Sequence, residues 1–270
     1  MDEKGDWSGP PPILGGKDYA APSVFEPGNL LREARRQKGL PSAEVPQICL
    51  LDPDGDILRA LRRAGRAEPS PGWACYHTEL FEFEHQGIRF GVIGCAVGAA
   101  FAVLVAEQLF ACGCRLLVSV TSAGQIVDRG PPPYFVVIDR ALRDEGTSYH
   151  YLPPADFAEA DPALVEGAVE ALAAAGQPAC RGASWTTDAP FRETAAAIEA
   201  ARARGILAVE MEAAALYAFA RAREKPVLCV AHVTNQMAVE GGDFEKGEAA
   251  GARASLAVVA AVASAWLAHR

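Results

Sequence analysis

Two kinds of hydrophobic pattern alternate along the chain from residue 45 onward. Short runs rich in β-branched and apolar residues, typical of strands, are followed by longer stretches with helical periodicity. Strands are predicted at residues 47–51, 88–95, 116–120, 134–138 and 227–233, and helices at residues 57–64, 99–111, 163–175, 192–202, 213–223 and 248–267. Because such alternation covers a sheet with helices, we expect a single α/β domain with a mixed central β-sheet flanked by helices.

The first 40 residues differ in composition from the rest of the chain. They are rich in Pro, Gly and charged residues, and they contain one short basic helical pattern at residues 30–38. We therefore expect an N-terminal arm over residues 1–40 and one domain over residues 41–270. An arm of this kind often wraps around a neighbouring subunit.

Charge and hydropathy exclude several classes of protein. A net charge of -9 argues against nucleic acid as a partner, because its phosphates require a basic surface. The longest apolar run, residues 256–268, is shorter than the roughly 20 residues that span a bilayer, and residues 1–12 lack the pattern of a secretory signal. We expect no membrane contact.

Cysteine usage indicates the compartment and argues against a metal. The seven cysteines are an odd number and lie mostly in apolar stretches, which favours a reducing, cytoplasmic setting. Cys112 and Cys114 form a close pair, but no second Cys/His pair follows at ligand spacing. We therefore predict no metal.

Two carboxylates, Glu210 and Glu212, stand directly before an alanine-rich helical pattern. Placing two charges beside an apolar helix is costly unless they meet a ligand or the helix N-terminus. A capping role accounts for one of them. The spacing alone leaves both capping and ligand binding open.

The surrounding sequence, AVEMEAAAL at residues 208–216, resembles a signature of the nucleoside phosphorylase family. That family contains uridine phosphorylases, hexameric purine nucleoside phosphorylases and adenosylhomocysteine-type nucleosidases. Chain length and element order are also similar, and the uridine phosphorylase-like branch is the closest in pattern. The resemblance implies that Met211 packs on the pentose and that Glu212 accepts hydrogen bonds from its hydroxyls. Glu210, beside them, is also predicted to bind the substrate. A carboxylate there also stabilises the positive charge on the sugar as the glycosidic bond breaks.

Two further segments point to the nucleobase. In WTTDAPFRET at residues 185–194, Phe191 suits either core packing or base stacking, and Arg192 resembles the arginine with which uridine phosphorylases recognise the pyrimidine carbonyl. Purine-cleaving relatives have a proton-donating Asp at the position of Asn235, whereas a neutral amide cannot act as a general acid. Asn235 favours a pyrimidine, and a plain turn after the strand is the alternative.

The expected anion site departs from the family. Phosphorylases carry arginines near their first strand and before a central Thr-Gly turn, but this chain has LDPDGD at residues 51–56 and VSVTSAG at residues 118–124. Three acidic groups in one loop repel phosphate unless they face away. Ser122 and Gly124 in this turn are predicted to bind the substrate. Phosphate can still be held by Ser122, by backbone N–H groups around residues 94–98, and by Arg143 as a relocated cation. Alternatively, Asp56 is a general base for hydrolysis, or it merely caps a helix.

The segment RDEGTSYHY at residues 143–151 follows a predicted strand where relatives place an active-site loop. Its His150 is predicted to approach the ribose end of the site, across a subunit boundary, or to be an ordinary surface histidine. No observation from the sequence decides between these two roles.

These observations favour a cytoplasmic nucleoside phosphorylase that splits a pyrimidine nucleoside such as uridine. Inorganic phosphate is the expected co-substrate, and no other cofactor is predicted. The family implies a homo-oligomer built from dimers, up to a hexamer. A phosphate-independent nucleoside hydrolase and a non-catalytic nucleoside-binding protein are the alternatives.

Overall fold

The computed structural model describes residues 9–236 and 246–269. The helices are α1 (Pro27–Lys38), α2 (Asp56–Arg63), α3 (Ala99–Ala111), α4 (Pro162–Ala174), α5 (Ala195–Ala203), α6 (Ala213–Arg223) and α7 (Ala252–Ala268). The strands are β1 (Ile48–Asp52), β2 (Glu68–Pro69), β3 (Phe81–His85), β4 (Ile88–Gly94), β5 (Leu116–Gln125), β6 (Tyr134–Asp144), β7 (Phe157–Glu159), β8 (Ala179–Thr187), β9 (Ala208–Glu210) and β10 (Val227–Gln236). Short 3-10 helices span Ser148–His150 and Pro190–Arg192.

The described strands form one mixed sheet centred on β5. This strand pairs in parallel with β1 and β10 and antiparallel with β9. From β10 the pairing continues through β6 and β8 to β9, which returns to β5, so five strands close into a ring. On the other side, β1, β4, β3 and β2 extend the sheet outward. The mixed sheet flanked by helices confirms the predicted fold class.

Burial explains why the centre of the sheet is parallel and apolar. Every residue of β1 is buried, and so is nearly every residue of β5 and β10, as expected for strands with helices on both faces. In the outer strand β3, buried Phe81 and Phe83 alternate with more exposed glutamates. Because β1, β4, β5 and β10 share one direction, their carboxyl ends gather several loops at one edge of the sheet.

The N-terminal arm contributes to the core through α1. Leu31 and Ala34 are 2% and 0% exposed and belong to the main hydrophobic cluster. The helix begins at Pro27, three residues before the predicted start, and ends at Lys38. The next residue, Gly39, has a φ of 64°, a left-handed conformation that favours glycine. The domain boundary at residue 40 stays a prediction.

Several elements differ from the sequence prediction. The predicted helix over residues 192–202 is wrong at its start, because the Thr194 side chain accepts a hydrogen bond from Ala197 N and caps α5 there. Strands β8 and β9 were not predicted, and β6 continues to Asp144 through a register shift after Ile138. None of the helices in residues 9–236 and 246–269 is long and apolar enough to cross a bilayer.

Candidate active site

Glu212 lies at the start of α6, where the carboxyl ends of the central strands meet. Its side chain is 1% exposed, and its Oε1 atom accepts a hydrogen bond from the backbone N–H of Gly98 at 2.7 Å. The hydroxyl of Thr121 lies beside this carboxylate and lowers the pKa of Glu212, and it also lies 3.4 Å from the carbonyl oxygen of Ser122. The Oε2 atom of Glu212 has no hydrogen-bond partner among the described residues. A buried carboxylate oxygen without a partner is costly unless a ligand supplies the donor.

The environment of Glu212 favours its protonated form when no ligand is bound. Burial, followed by the charge of Glu210, raises the pKa of Glu212 to about 8, although the hydrogen bond from Gly98 acts in the opposite direction. Asp54 also raises this pKa, so the Glu212 carboxylate and the Asp54 loop influence each other electrostatically.

Glu210 closes β9 and has a different environment from Glu212. Its Oε1 atom accepts hydrogen bonds from the hydroxyls of Ser184 (2.9 Å) and Thr186 (2.5 Å), and its Oε2 atom accepts from the backbone N–H groups of Glu212 and Ala213, both at 2.7 Å. Both oxygens are thus engaged by the protein, at the N-terminus of α6. Capping of α6 accounts for the Oε2 atom of Glu210, and substrate binding by Glu210 stays a prediction. Met211, between the two carboxylates, is half-buried.

Asp54 fills the position expected for an anion at the end of β5. Its Oδ2 atom accepts hydrogen bonds from the backbone N–H (2.8 Å) and the hydroxyl (2.5 Å) of Ser122. The turn that presents Asp54 depends on Gly55, whose φ is 75° and where a Cβ would lie 2.6 Å from the Cys95 sulfur. The Ser122 donors are therefore directed at an oxyanion, and the chain itself supplies one.

Asp56 is held in ion pairs beside this turn. Its Oδ2 atom lies 2.6 Å from Lys246 Nζ, and its Oδ1 atom lies 2.5 Å from Arg59. Burial raises the pKa of Asp56, but the hydrogen bonds from Lys246 and Arg59 outweigh it and hold the pKa below its usual value. A low pKa makes a carboxylate a weaker base, and the role of Asp56 as a general base stays a prediction.

Asp52 fastens the same turn to helix α2. It is 2% exposed and accepts a hydrogen bond from the backbone N–H of Leu58 at 2.8 Å. Burial raises the pKa of Asp52 to about 7. The three acidic residues of the loop thus have separate tasks: Asp52 braces the helix, Asp54 contacts Ser122, and Asp56 pairs with cations.

The fold and this site can be compared with known proteins. A sequence model described as the phosphorylase superfamily matches residues 47–265. The chain belongs to the phosphorylase superfamily. Uridine phosphorylase from Vibrio fischeri ES114 is a similar solved structure, with a TM-score of 0.67 and 20% sequence identity over 83% of this chain and 93% of that chain. At that identity the likeness concerns the fold. No curated protein matches.

The residues predicted to bind the base lie on a surface turn and near the end of a strand. Phe191 is 99% exposed on the 3-10 helix Pro190–Arg192, so the core-packing alternative is wrong, and base contact by Phe191 and exposed Arg192 stays a prediction. Asn235 is half-buried near the end of β10 and pairs in register with Gly124 of β5. Gly124 also pairs with Val209 of β9. Strand β5 therefore lies between β9, which precedes Glu212, and β10, which carries Asn235.

Arg143, the predicted relocated cation, is engaged by its own loop. It is 5% exposed, and its guanidinium donates to Ser148 Oγ (2.8 Å) and to the carbonyl oxygens of Pro153 (2.7 Å) and Leu152 (3.1 Å). These donors brace their own loop, and phosphate binding by Arg143 stays a prediction. His150 is exposed, with its Nδ1 atom 2.8 Å from Lys17 Nζ of the arm, and its approach to a ribose stays a prediction.

Three residues near Ser122 escaped the sequence prediction: Asp54 as its partner, Lys246 and His232. Lys246 Nζ lies 3.9 Å from Asp54 Oδ1, although the two residues are far apart in the chain. His232 is the register neighbour of Ser122 in the adjacent strand β10 and stacks on Phe135 at a centroid distance of 4.5 Å. The sequence offered only two signals of these roles: Lys246 is a lysine in a Gly-rich acidic stretch, and His232 is a histidine inside an apolar strand. Within residues 9–236 and 246–269, no group of three potential metal ligands meets.

Proposed function

We propose that this chain cleaves the N-glycosidic bond of a nucleoside and transfers the pentose to inorganic phosphate. The observation that carries the proposal is the buried Glu212 carboxylate, with Oε1 held by Gly98 and Oε2 left for a ligand, in a chain of the phosphorylase superfamily. A pentose hydroxyl is a suitable donor for that oxygen.

The chemistry follows from the positive charge of the reacting sugar. As the bond from C1′ to the base nitrogen breaks, its electron pair leaves with the base, and a phosphate oxygen forms the new bond to C1′. A carboxylate fixed on the sugar hydroxyls stabilises the oxocarbenium-like transition state. Both this positive charge and the hydroxyl donors favour the ionised form of Glu212, which counteracts the raised pKa of the empty site.

A pyrimidine such as uridine is the proposed base. Asn235 carries a neutral amide, which can hydrogen-bond a base but cannot protonate a leaving purine. Exposed Arg192, on the turn after β8, offers the planar donor fork that suits adjacent base acceptors. A pyrimidine leaving group needs hydrogen-bond donors such as the Asn235 amide and the Arg192 guanidinium more than it needs a general acid.

A second candidate is hydrolysis, and one observation favours it. Asp54 occupies both donors of Ser122, and a carboxylate in that position both repels phosphate and can accept a proton from water. In that reaction the bond from C1′ to the base nitrogen breaks and its electron pair leaves with the base, while the water oxygen bonds to C1′ and Asp54 takes the proton from water. Asp54→Asn would then abolish base release in phosphate-free buffer.

The proposed setting is a cytoplasmic homo-oligomer. Val24 and Phe25 on the arm are 102% and 70% exposed, and burying such apolar side chains against a neighbouring subunit would be favourable. Size-exclusion chromatography with light scattering tests this part separately.

The decisive experiment incubates the protein with a panel of pyrimidine and purine nucleosides, with and without inorganic phosphate. Free base together with pentose 1-phosphate, formed only when phosphate is present, is the expected result. Free base and free pentose in phosphate-free buffer would establish hydrolysis instead. Nucleoside binding without any base release would overturn the enzymatic proposal.

A further inference from the structure

The phosphate acceptor needs donors and positive charge, and three groups around Ser122 can provide them. The first is Ser122 itself, whose N–H and hydroxyl hold a carboxylate oxygen at 2.8 Å and 2.5 Å. Carboxylate and phosphate oxygens are recognised by the same kind of donor pair. This geometry shows that the donors are already oriented toward an anion.

The second group is the ammonium of Lys246. It lies 2.6 Å from Asp56 Oδ2 and 3.9 Å from Asp54 Oδ1, and its side chain is 25% exposed. Asp56 is also paired with Arg59, so that carboxylate does not depend on the lysine alone for a counter-charge. Lys246 is therefore a cation beside the Ser122 donors that can exchange one oxyanion partner for another.

The third group is His232, on the strand next to Ser122. The side chain is 5% exposed, and its Nε2 atom is buried without a hydrogen-bond partner among the described residues. The ring is fixed between Phe135 and Gly251, where a Cβ would lie 2.4 Å from His232 Cε1. Burial, followed by the charge of Lys246, lowers the pKa of His232 to about 4, so the imidazole is neutral near pH 7. A neutral imidazole still donates one hydrogen bond.

We propose that Lys246 and His232 bind the phosphate acceptor beside Ser122, and that Asp54 is a built-in competitor that phosphate displaces from the Ser122 donors. This inference rests on the proposed phosphorolysis. Asp54 is one-third exposed, so its carboxylate can turn toward solvent when phosphate arrives. Competition of this kind raises the KM for phosphate and leaves the sugar site unchanged.

The test measures the KM for inorganic phosphate with saturating nucleoside, and phosphate binding by calorimetry, in four variants. Lys246→Gln and His232→Ala should each raise the KM and weaken binding, by about tenfold or more for the lysine, because a charge-assisted hydrogen bond is lost. Asp54→Asn should lower the KM by a similar factor. The control, Lys225→Gln, removes an exposed lysine beside Phe110 and should leave phosphate binding unchanged.

The outcomes separate this inference from the proposed function. Phosphate-dependent cleavage by the wild type, with an unchanged phosphate KM in Lys246→Gln and Asp54→Asn, would overturn the inference and keep phosphorolysis. Phosphate-independent cleavage by the wild type, with no heat of phosphate binding, would overturn the proposed function itself. Because Lys246 is partly exposed, its variant reports on the inference even if His232→Ala is unstable.

Discussion

The carboxylate of Glu212 accepts a hydrogen bond from the backbone N–H of Gly98, and this bond joins two segments 114 residues apart in the chain. One segment follows β4 and the other precedes α6, so the contact depends on the whole central sheet being assembled. It fixes Oε1 and leaves Oε2 as the buried atom that a ligand can satisfy. The proposed sugar site therefore depends on the fold as well as on the local motif.

Glu212→Gln tests whether this carboxylate stabilises the transition state. The amide keeps the shape but loses the negative charge, so kcat/KM should fall by about 100-fold or more, the scale seen when one electrostatic contact to a transition state is removed. Steady-state kinetics measures the effect, and circular dichroism checks the fold. Glu199→Gln, which alters an exposed pair with Arg202, is the matched control. Wild-type activity in a folded Glu212→Gln protein would refute the assignment.

Glu210→Ala tests the structural role of the neighbouring carboxylate. The substitution leaves the N–H groups of Glu212 and Ala213 and the hydroxyls of Ser184 and Thr186 without their acceptor. We expect the free energy of unfolding to drop by about 3 kcal/mol. Urea denaturation provides the measurement, with Glu199→Ala expected to stay within about 0.5 kcal/mol of the wild type. Equal stability of the two variants would contradict the capping role.

The pKa of Glu212 predicts how the stability of the ligand-free protein changes with pH. Folding raises this pKa from 4.5 to about 8, so the folded chain holds a proton that the unfolded chain releases. The stabilising contribution is complete below about pH 4.5 and is lost as the pH rises to about 8. Unfolding of the wild type and of Glu212→Gln is compared at about pH 5 and about pH 8. As the pH rises between these values, the wild type should lose stability relative to Glu212→Gln. A difference in unfolding free energy between the two proteins that does not change with pH would exclude the raised pKa.

Asn235→Asp tests why a pyrimidine is the proposed base. The substitution supplies a proton donor at the end of β10, and general acids contribute about 10²- to 10⁴-fold to such reactions. We expect kcat/KM for inosine or adenosine to rise by at least about tenfold relative to kcat/KM for uridine. Parallel assays of free base report the ratio. If the ratio does not change, residue 235 does not face the leaving base.

The sequence predicted the central part of this molecule because its signals are local. Helices α2, α3 and α6 and strands β1, β4 and β5 follow from periodicity in short windows, and the segment around Glu212 was identified from nine consecutive residues. Strand β9 escaped because three residues carry no periodicity, and it forms only because β5 and β8 offer partners on both sides.

The acceptor side could not be predicted because its contacts join distant residues. Asp54 reaches Ser122 across 68 residues, and Lys246 reaches Asp56 across 190. The acidic loop was expected to repel phosphate, and only the three-dimensional structure distinguishes the carboxylate that contacts Ser122 from the one paired with cations. Arg143 illustrates the opposite case, since this charged residue in a promising loop is buried and donates hydrogen bonds to the backbone carbonyls of Leu152 and Pro153.

The central claim is that a pentose bound at Glu212 is transferred from a nucleobase to phosphate. Its most direct test incubates the protein with uridine and inorganic phosphate and follows the products by phosphorus nuclear magnetic resonance together with uracil release. We predict a pentose 1-phosphate signal that grows in equal amount with uracil and is lost in Glu212→Gln. Uracil released with free ribose, or no uracil from any pyrimidine nucleoside, would contradict the claim.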